Sequence, residues 1–335
     1  MVTKIIIPLD GSHLAQQCLP LALKLGQLLA AQLCLVKVVP PTKENILWDW
    51  SHEAPIKQKG EAEAYLQDIV EHLTSEGEVY LLRERVYSVV VEGQEVGVGQ
   101  SIAREAHTQE GTLILMTTHG RGGLTQLVLG STALEIIRNT SLPVIFLRPE
   151  QHRPVANDQD GLNLKSYKEL EGPVVVTLDG SREAELALKA ALELAGGLNL
   201  PVHLLRVLQP FVPVDQLAPW YEANLDLGAD YLQEHDFLYL KEQASSNLAK
   251  TQIWLKDIKG VDSQTVLKVG EPIDEIINYA SSVKASLVVM ATHAHGRVEQ
   301  AFLGSVAGRV MCRGNFPVMM VNIGLNLRES KSFNE

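Results

Sequence analysis

Short runs of β-branched and aliphatic residues alternate along this chain with longer segments whose apolar residues recur at helical spacing. The runs KIIIPL (Lys4–Leu9), LCLVKVV (Leu33–Val39), VYSVVVE (Val86–Glu92), TLILMT (Thr112–Thr117) and VIFLR (Val144–Arg148) predict five strands in the first half. Five more are predicted in the second half, at Pro173–Leu178, Val202–Leu208, Thr265–Val269, Ser286–Thr292 and Val318–Asn322. Between them lie amphipathic segments, the first with Leu14, Cys18, Leu21, Leu25 and Leu28 on one face, which reads as core. Alternation of this kind produces right-handed βαβ crossovers and a parallel sheet, an α/β fold.

The two halves repeat. Ile7-Pro8-Leu9-Asp10-Gly11-Ser12 returns as Val176-Thr177-Leu178-Asp179-Gly180-Ser181. Met116-Thr117-Thr118-His119-Gly120, followed by Gly130-Ser131, returns as Met290-Ala291-Thr292-His293-Ala294, followed by Gly304-Ser305. The pattern predicts a first domain over residues 1–149, a linker at 150–171 rich in Pro, Asn, Asp and Gly, a second domain over 172–324 and a tail at 325–335. Irregular stretches at 40–59 and 209–228 follow the second strand of each copy and carry Trp48, Trp50 and Trp220. These aromatics suit a lid, a contact surface or a loop packed on the sheet edge.

Composition narrows the partners. Forty acidic against 29 basic side chains give a net charge of -11, which repels phosphate backbones and anionic lipid, so neither nucleic acid nor membrane is expected. No run reaches the roughly 18 apolar residues of a membrane span. The three cysteines, Cys18, Cys34 and Cys312, form no Cys-x-x-Cys pair, and the amino terminus lacks the pattern of a signal peptide. A cytoplasmic protein is the expectation.

In an open parallel sheet the ligand lies beyond the carboxyl ends of the strands, where the strand order reverses. Asp10 and Asp179 each end the first strand of their copy, placed for a ribose hydroxyl or, through a divalent cation, for phosphates. Alone, Asp-Gly-Ser is equally a turn that opens a helix, with Asp or Ser capping it. After the fourth strand, the small residues around Gly120 and Gly130-Ser131-Thr132 allow backbone amides to approach phosphate oxygens, and the helix that follows directs unpaired N–H groups at the same anion. The recurrence of both features, paired in each copy, strengthens the nucleotide reading.

These residues resemble the universal stress protein family, whose ATP-binding members carry G-x-x-G, nine residues, then G-S or G-T after the fourth strand. The resemblance spans essentially the whole chain. It implies two tandem doubly wound domains, each a five-stranded parallel sheet of order 3-2-1-4-5 with helices on both faces, paired within the chain through their last strands. A second copy of the chain and an unidentified protein are further candidate partners. The resemblance places adenine against Pro8, Leu9 and Val38, and ribose or a magnesium or manganese ion at Asp10. Met116 and Thr117 would line the nucleoside, with Gly120, Arg121, Gly130, Ser131 and Thr132 at the phosphates of ATP, or of AMP or ADP. Arg121 reads equally as a solvated loop charge.

The copies depart from the pattern unequally. Thr117 replaces the first glycine of copy one, whereas Ala291 and Ala294 replace both early glycines of copy two, and a methyl at Ala294 crowds a phosphate or strains the backbone. A second, degenerate site would comprise Thr177, Leu178, Asp179, Val207, Met290, Ala291, Ala294, Gly304, Ser305 and Val306. The expected function is ATP-binding stress regulation centred on domain 1. The alternatives are a scaffold without nucleotide and a slow ATPase. No P-loop occurs, and the first strand lacks the Ser-Gly-Gly-x-Asp-Ser loop of adenylylating enzymes. His119 and His293 lie beside the phosphate loop without a carboxylate or nucleophile partner in the pattern, so they read as ordering or core residues, and no transition-metal spacing is present.

Overall fold

The computed structural model of the chain describes residues 1–39, 53–75, 81–93, 97–118, 130–148, 170–209, 234–292 and 305–323. The first copy runs β1 (Lys4–Pro8), α1 (His13–Gln16), α2 (Leu19–Leu28), β2 (Gln32–Val39), α3 (Glu53–Thr74), β3 (Val86–Glu92), α4 (Val98–Thr108), β4 (Leu113–Thr117), α5 (Ser131–Asn139) and β5 (Val144–Leu147). The second runs β6 (Val174–Thr177), α6 (Arg182–Leu198), β7 (Val202–Leu208), α7 (Glu234–Lys259), β8 (Ser263–Val269), α8 (Pro272–Ser282), β9 (Leu287–Thr292), α9 (Ser305–Arg313) and β10 (Val318–Asn322).

All ten strands form one sheet of order β3-β2-β1-β4-β5-β10-β9-β6-β7-β8. Pairing is parallel within each copy, giving the order 3-2-1-4-5 twice. At the centre β5 and β10 run antiparallel, with Val318 opposite Phe146, Met319 opposite Ile145 and Met320 opposite Val144. Because side chains alternate across a strand, Ile145 and Met319 enter the core on one face, while Val144, Phe146, Val318 and Met320 enter the other. Each core is therefore continuous across the two copies. One lies under α2, α3, α6 and α7, and the other under α4, α5, α8 and α9. The central antiparallel step also turns the carboxyl ends of the two parallel sets toward opposite edges of the sheet.

Three expectations are corrected. The irregular stretch at 40–59 ends earlier, because α3 begins at Glu53; residues 40–52 and 210–233 lie outside the described residues. Pro55 falls in the first turn, where its missing N–H breaks no helical bond, and buried Ala62, Leu66, Ile69, Val70 and Leu73 hold the helix to the sheet. The apolar face after β1 is divided between α1 and α2, since Pro20 at the start of α2 has no N–H for the carbonyl of Gln16. Leu14 is consequently only half-buried, and Leu28, in the last turn of α2, is 46% exposed rather than core. Of the linker, residues 150–169 lie outside the described residues. Just past it Gly172, the first residue of domain 2, packs so closely that a Cβ there would stand 1.9 Å from the carbonyl oxygen of Lys284.

Candidate nucleotide site at the carboxyl edge

The strand order reverses between β1 and β4, which pair at Ile5–Leu113 and Ile6–Ile114. Past β1 the chain stays tied to the sheet: the N–H of Leu9 donates to the carbonyl of Val36 at 2.8 Å, and Leu9 is buried. The next residues form a tight turn. Asp10 Oδ1 accepts the N–H of Ser12 at 2.8 Å, Gly11 takes φ 92°, and Ser12 Oγ accepts the N–H of Ala15 to cap α1. The Asp-Gly-Ser segment thus is a helix-opening turn, and the turn orients the Asp10 carboxylate at the edge.

Val38 is half-buried on β2, on the sheet face that also carries Met116. Met116 and Thr117 are buried at the end of β4. Thr118 closes the edge from two sides, its N–H donating to the carbonyl of Leu147 at 2.8 Å and its carbonyl accepting the N–H of Gly130 at 3.2 Å. Gly130 opens α5 with no side-chain cap, and a Cβ on it would stand 3.2 Å from that Thr118 carbonyl oxygen. Ser131 is exposed and Thr132 half-buried in the first turn. Gly120 and Arg121, like His119, lie outside the described residues.

Sequence reasoning missed the support beneath this helix. The N–H of Gly99, in the first turn of α4, donates to Glu135 Oε2 of α5 at 2.9 Å. A Cβ at Gly99 would stand 2.3 Å from Glu135 Cβ and 2.7 Å from the Thr132 carbonyl oxygen. Two glycines, Gly97 and Gly99, at a helix start are the signal that marks such a close approach.

The second copy repeats the turn but surrounds it differently. Leu178 donates its N–H to the carbonyl of Leu205, Asp179 Oδ1 accepts the N–H of Ser181 at 2.8 Å, and Ser181 caps α6. The Thr177 hydroxyl donates to the Val289 carbonyl at 3.3 Å. Here the guanidinium of Arg206 lies against Gly180, 2.6 Å from where a Cβ would be. Its counterpart in copy one, Lys37, instead sets its ammonium 5.0 Å from the centre of the Tyr65 ring. Val207 and Ala291 are half-buried, Met290 is buried, and Val306 is half-buried in α9, which opens with Ser305. Ala294, Gly304 and His293 lie outside the described residues.

Among the described residues no group of three or more His, Cys, Asp or Glu side chains is placed to hold a metal ion. Of these residues Asp10 offers this edge a single carboxylate, so with the described residues alone the oxygen shell of a divalent cation there would need phosphates to complete it. The cysteines are buried and free, and burial raises Cys18 to about 12 and Cys34 to about 11, so both remain thiols at neutral pH. No described helix is long and apolar enough to cross a membrane.

A titrating pair lies elsewhere in domain 2. His203 Nδ1 and the Tyr279 hydroxyl share a hydrogen bond of 2.9 Å, and burial lowers the histidine pKa from its ordinary 6.5. A depressed pKa means that the unfolded chain binds the proton more readily. This stability contribution is complete above pH 6.5 and is lost as pH falls from 6.5 through the lower folded value. Denaturation midpoints measured across that window should therefore fall less steeply in His203→Gln than in the wild type; identical profiles would remove His203 from the account.

The architecture defines a class, the doubly wound α/β proteins with two tandem copies, each with a strand-order reversal between its first and fourth strands. The profile of the universal stress protein family matches residues 1–148 and 172–322, and the chain belongs to that family. It is 24% identical over 334 residues to universal stress protein Rv1996 of Mycobacterium tuberculosis, covering 95% of each chain. Universal stress protein MJ0531 of Methanocaldococcus jannaschii is 29% identical over 160 residues, 47% of this chain and 86% of that protein. Among solved structures, a universal stress protein from Archaeoglobus fulgidus shares the fold with a TM-score of 0.65 at 15% identity, covering 96% of this chain and 98% of that one.

Proposed function

We propose that this protein is an ATP-binding regulatory member of its family, with the nucleotide held in domain 1. The observation that carries the reading is the uncapped start of α5 at Gly130, set beside the ends of β1 and β4 by the Thr118 carbonyl. First-turn amides, which have no partner within the helix, favour an anion there through both hydrogen bonding and the helix dipole. Adenine would rest on Pro8, Leu9 and Val38, the ribose hydroxyls would meet Asp10, and Met116 and Thr117 would back the nucleoside. Ser131 and Thr132, with Gly120 and Arg121, would take the phosphates. A magnesium or manganese ion accompanying them would neutralise phosphate charge, with Asp10 as its protein ligand.

Domain 2 serves in this reading as the built-in partner of domain 1. Its Ala291 and Ala294 replace glycines, and the Arg206 guanidinium covers the turn at Gly180, whereas the corresponding Lys37 sets its ammonium beside the Tyr65 ring. About one ATP per chain is expected on mass spectrometry of protein purified under mild conditions. Gly130→Glu should weaken ATP binding by about 100-fold or more, since like charges brought together cost several kcal/mol. The variant should keep its fold, because a carboxylate is well placed at a helix start. Unchanged affinity in that folded variant would exclude this edge as the site. Any slow ATP hydrolysis that belongs to the protein should vanish in the same variant.

A further inference from the structure

The far end of α5 poses a separate problem. The last carbonyls of a helix have no partner within it and, when buried, must find one elsewhere. Ile137 is 2% exposed, and Thr140 and Ser141 just beyond are also buried. Thr140 leaves the helix in an extended conformation, φ -128° and ψ 142°, without the left-handed turn that would fold N–H groups back onto those carbonyls. Asn139 satisfies the Glu135 carbonyl from within the helix.

The Ile137 carbonyl is reached from the other domain. Asn322 Nδ2 donates to it at 2.6 Å in a buried bond. Asn322 is the last residue of β10, in register with Thr292 of β9, so the sheet of domain 2 fixes its position. Across the seam the arrangement recurs in looser form, with Arg148 Nη1 donating to the carbonyl of Arg313 at 3.4 Å in an exposed bond.

We infer that Asn322 of domain 2 is a positioning residue for the nucleotide site of domain 1. It holds the buried end of the helix whose other end, at Gly130, Ser131 and Thr132, faces the phosphates. This inference rests on the nucleotide reading above. A helix of nine residues is only about 14 Å long. Loss of the Asn322 amide strands a buried carbonyl, and the helix relieves it by shifting or fraying, which misaligns the first-turn amides at the phosphate end. The nucleoside rests on β1, β2 and β4 and does not depend on α5.

The test uses the full chain and compares ATP with adenosine, which lacks phosphates. Asn322→Leu keeps the side-chain size and removes the donor. ATP affinity should fall about five- to tenfold in this variant, the scale of one lost buried hydrogen bond, while adenosine affinity stays within about twofold. Amide exchange over residues 131–139 should accelerate without ligand. Equal weakening of ATP and adenosine, or unchanged ATP affinity, overturns the positioning role. Asn322→Ser provides the same ratio should the leucine variant fail to fold. A wild-type chain that binds adenosine but shows no preference for ATP overturns the phosphate helix itself and this inference with it. Wild-type preference for ATP that persists in the variants overturns this inference alone.

Discussion

Ile145→Asp is expected to lower the stability of the protein by about 4 kcal/mol or more, beyond the range of ordinary point substitutions. Ile145 is 1% exposed in β5 and stands directly opposite Met319, also 1% exposed, in the only antiparallel step among the described strands. Both residues belong to the core under α2, α3, α6 and α7, which both domains share. A carboxylate there is removed from water and must either remain charged at high cost or take up a proton. Since protonation relieves the penalty, the loss should be smaller at acid pH than at neutral pH. Chemical denaturation followed by circular dichroism measures it, and the two domains should separate into distinct transitions once the seam is weakened. A midpoint shift worth less than about 1 kcal/mol, the scale of a surface change, would mean that the seam contributes little.

Gly99→Val should be the next most damaging change, costing about 3 kcal/mol and most of the ATP affinity together. The first added carbon atom would meet Glu135 Cβ at 2.3 Å and the Thr132 carbonyl at 2.7 Å. Neither neighbour can give way easily, since one is the root of a side chain and the other is backbone. The start of α4 must then separate from α5, which also breaks the bond from the Gly99 N–H to Glu135. Thr132 belongs to the turn proposed to hold the phosphates, so thermal denaturation and ATP titration should register the same substitution. A valine variant with wild-type stability and affinity would show that the helices tolerate separation.

The division of the chain into strands and helices was legible because the signal is local. Apolar runs such as Ile5-Ile6-Ile7 lie buried on both faces of a parallel sheet and need no distant information to be recognised. The Asp-Gly-Ser turns were equally legible, as Asp10 and Ser12 satisfy amides only two and three residues away. Leu28 misled because apolar spacing reports one helix face and not where neighbouring elements end. The start of α3 was obscured by Pro55, which breaks a helix interior but suits a first turn.

By itself the sequence determined that the protein is a duplicated α/β chain, where each copy places its Asp-Gly-Ser turn, and which copy retains Gly120. Those properties depend on neighbours along the chain and on comparison of its two halves. Tertiary structure alone decided that Gly99 seats α5 on α4, that Arg206 lies on Gly180 while Lys37 turns to Tyr65, and that Asn322 reaches the Ile137 carbonyl across the seam. Each of these joins residues distant in sequence through a local contact. Such contacts leave no periodic trace, because their partners are chosen by how the strands order and the helices pack.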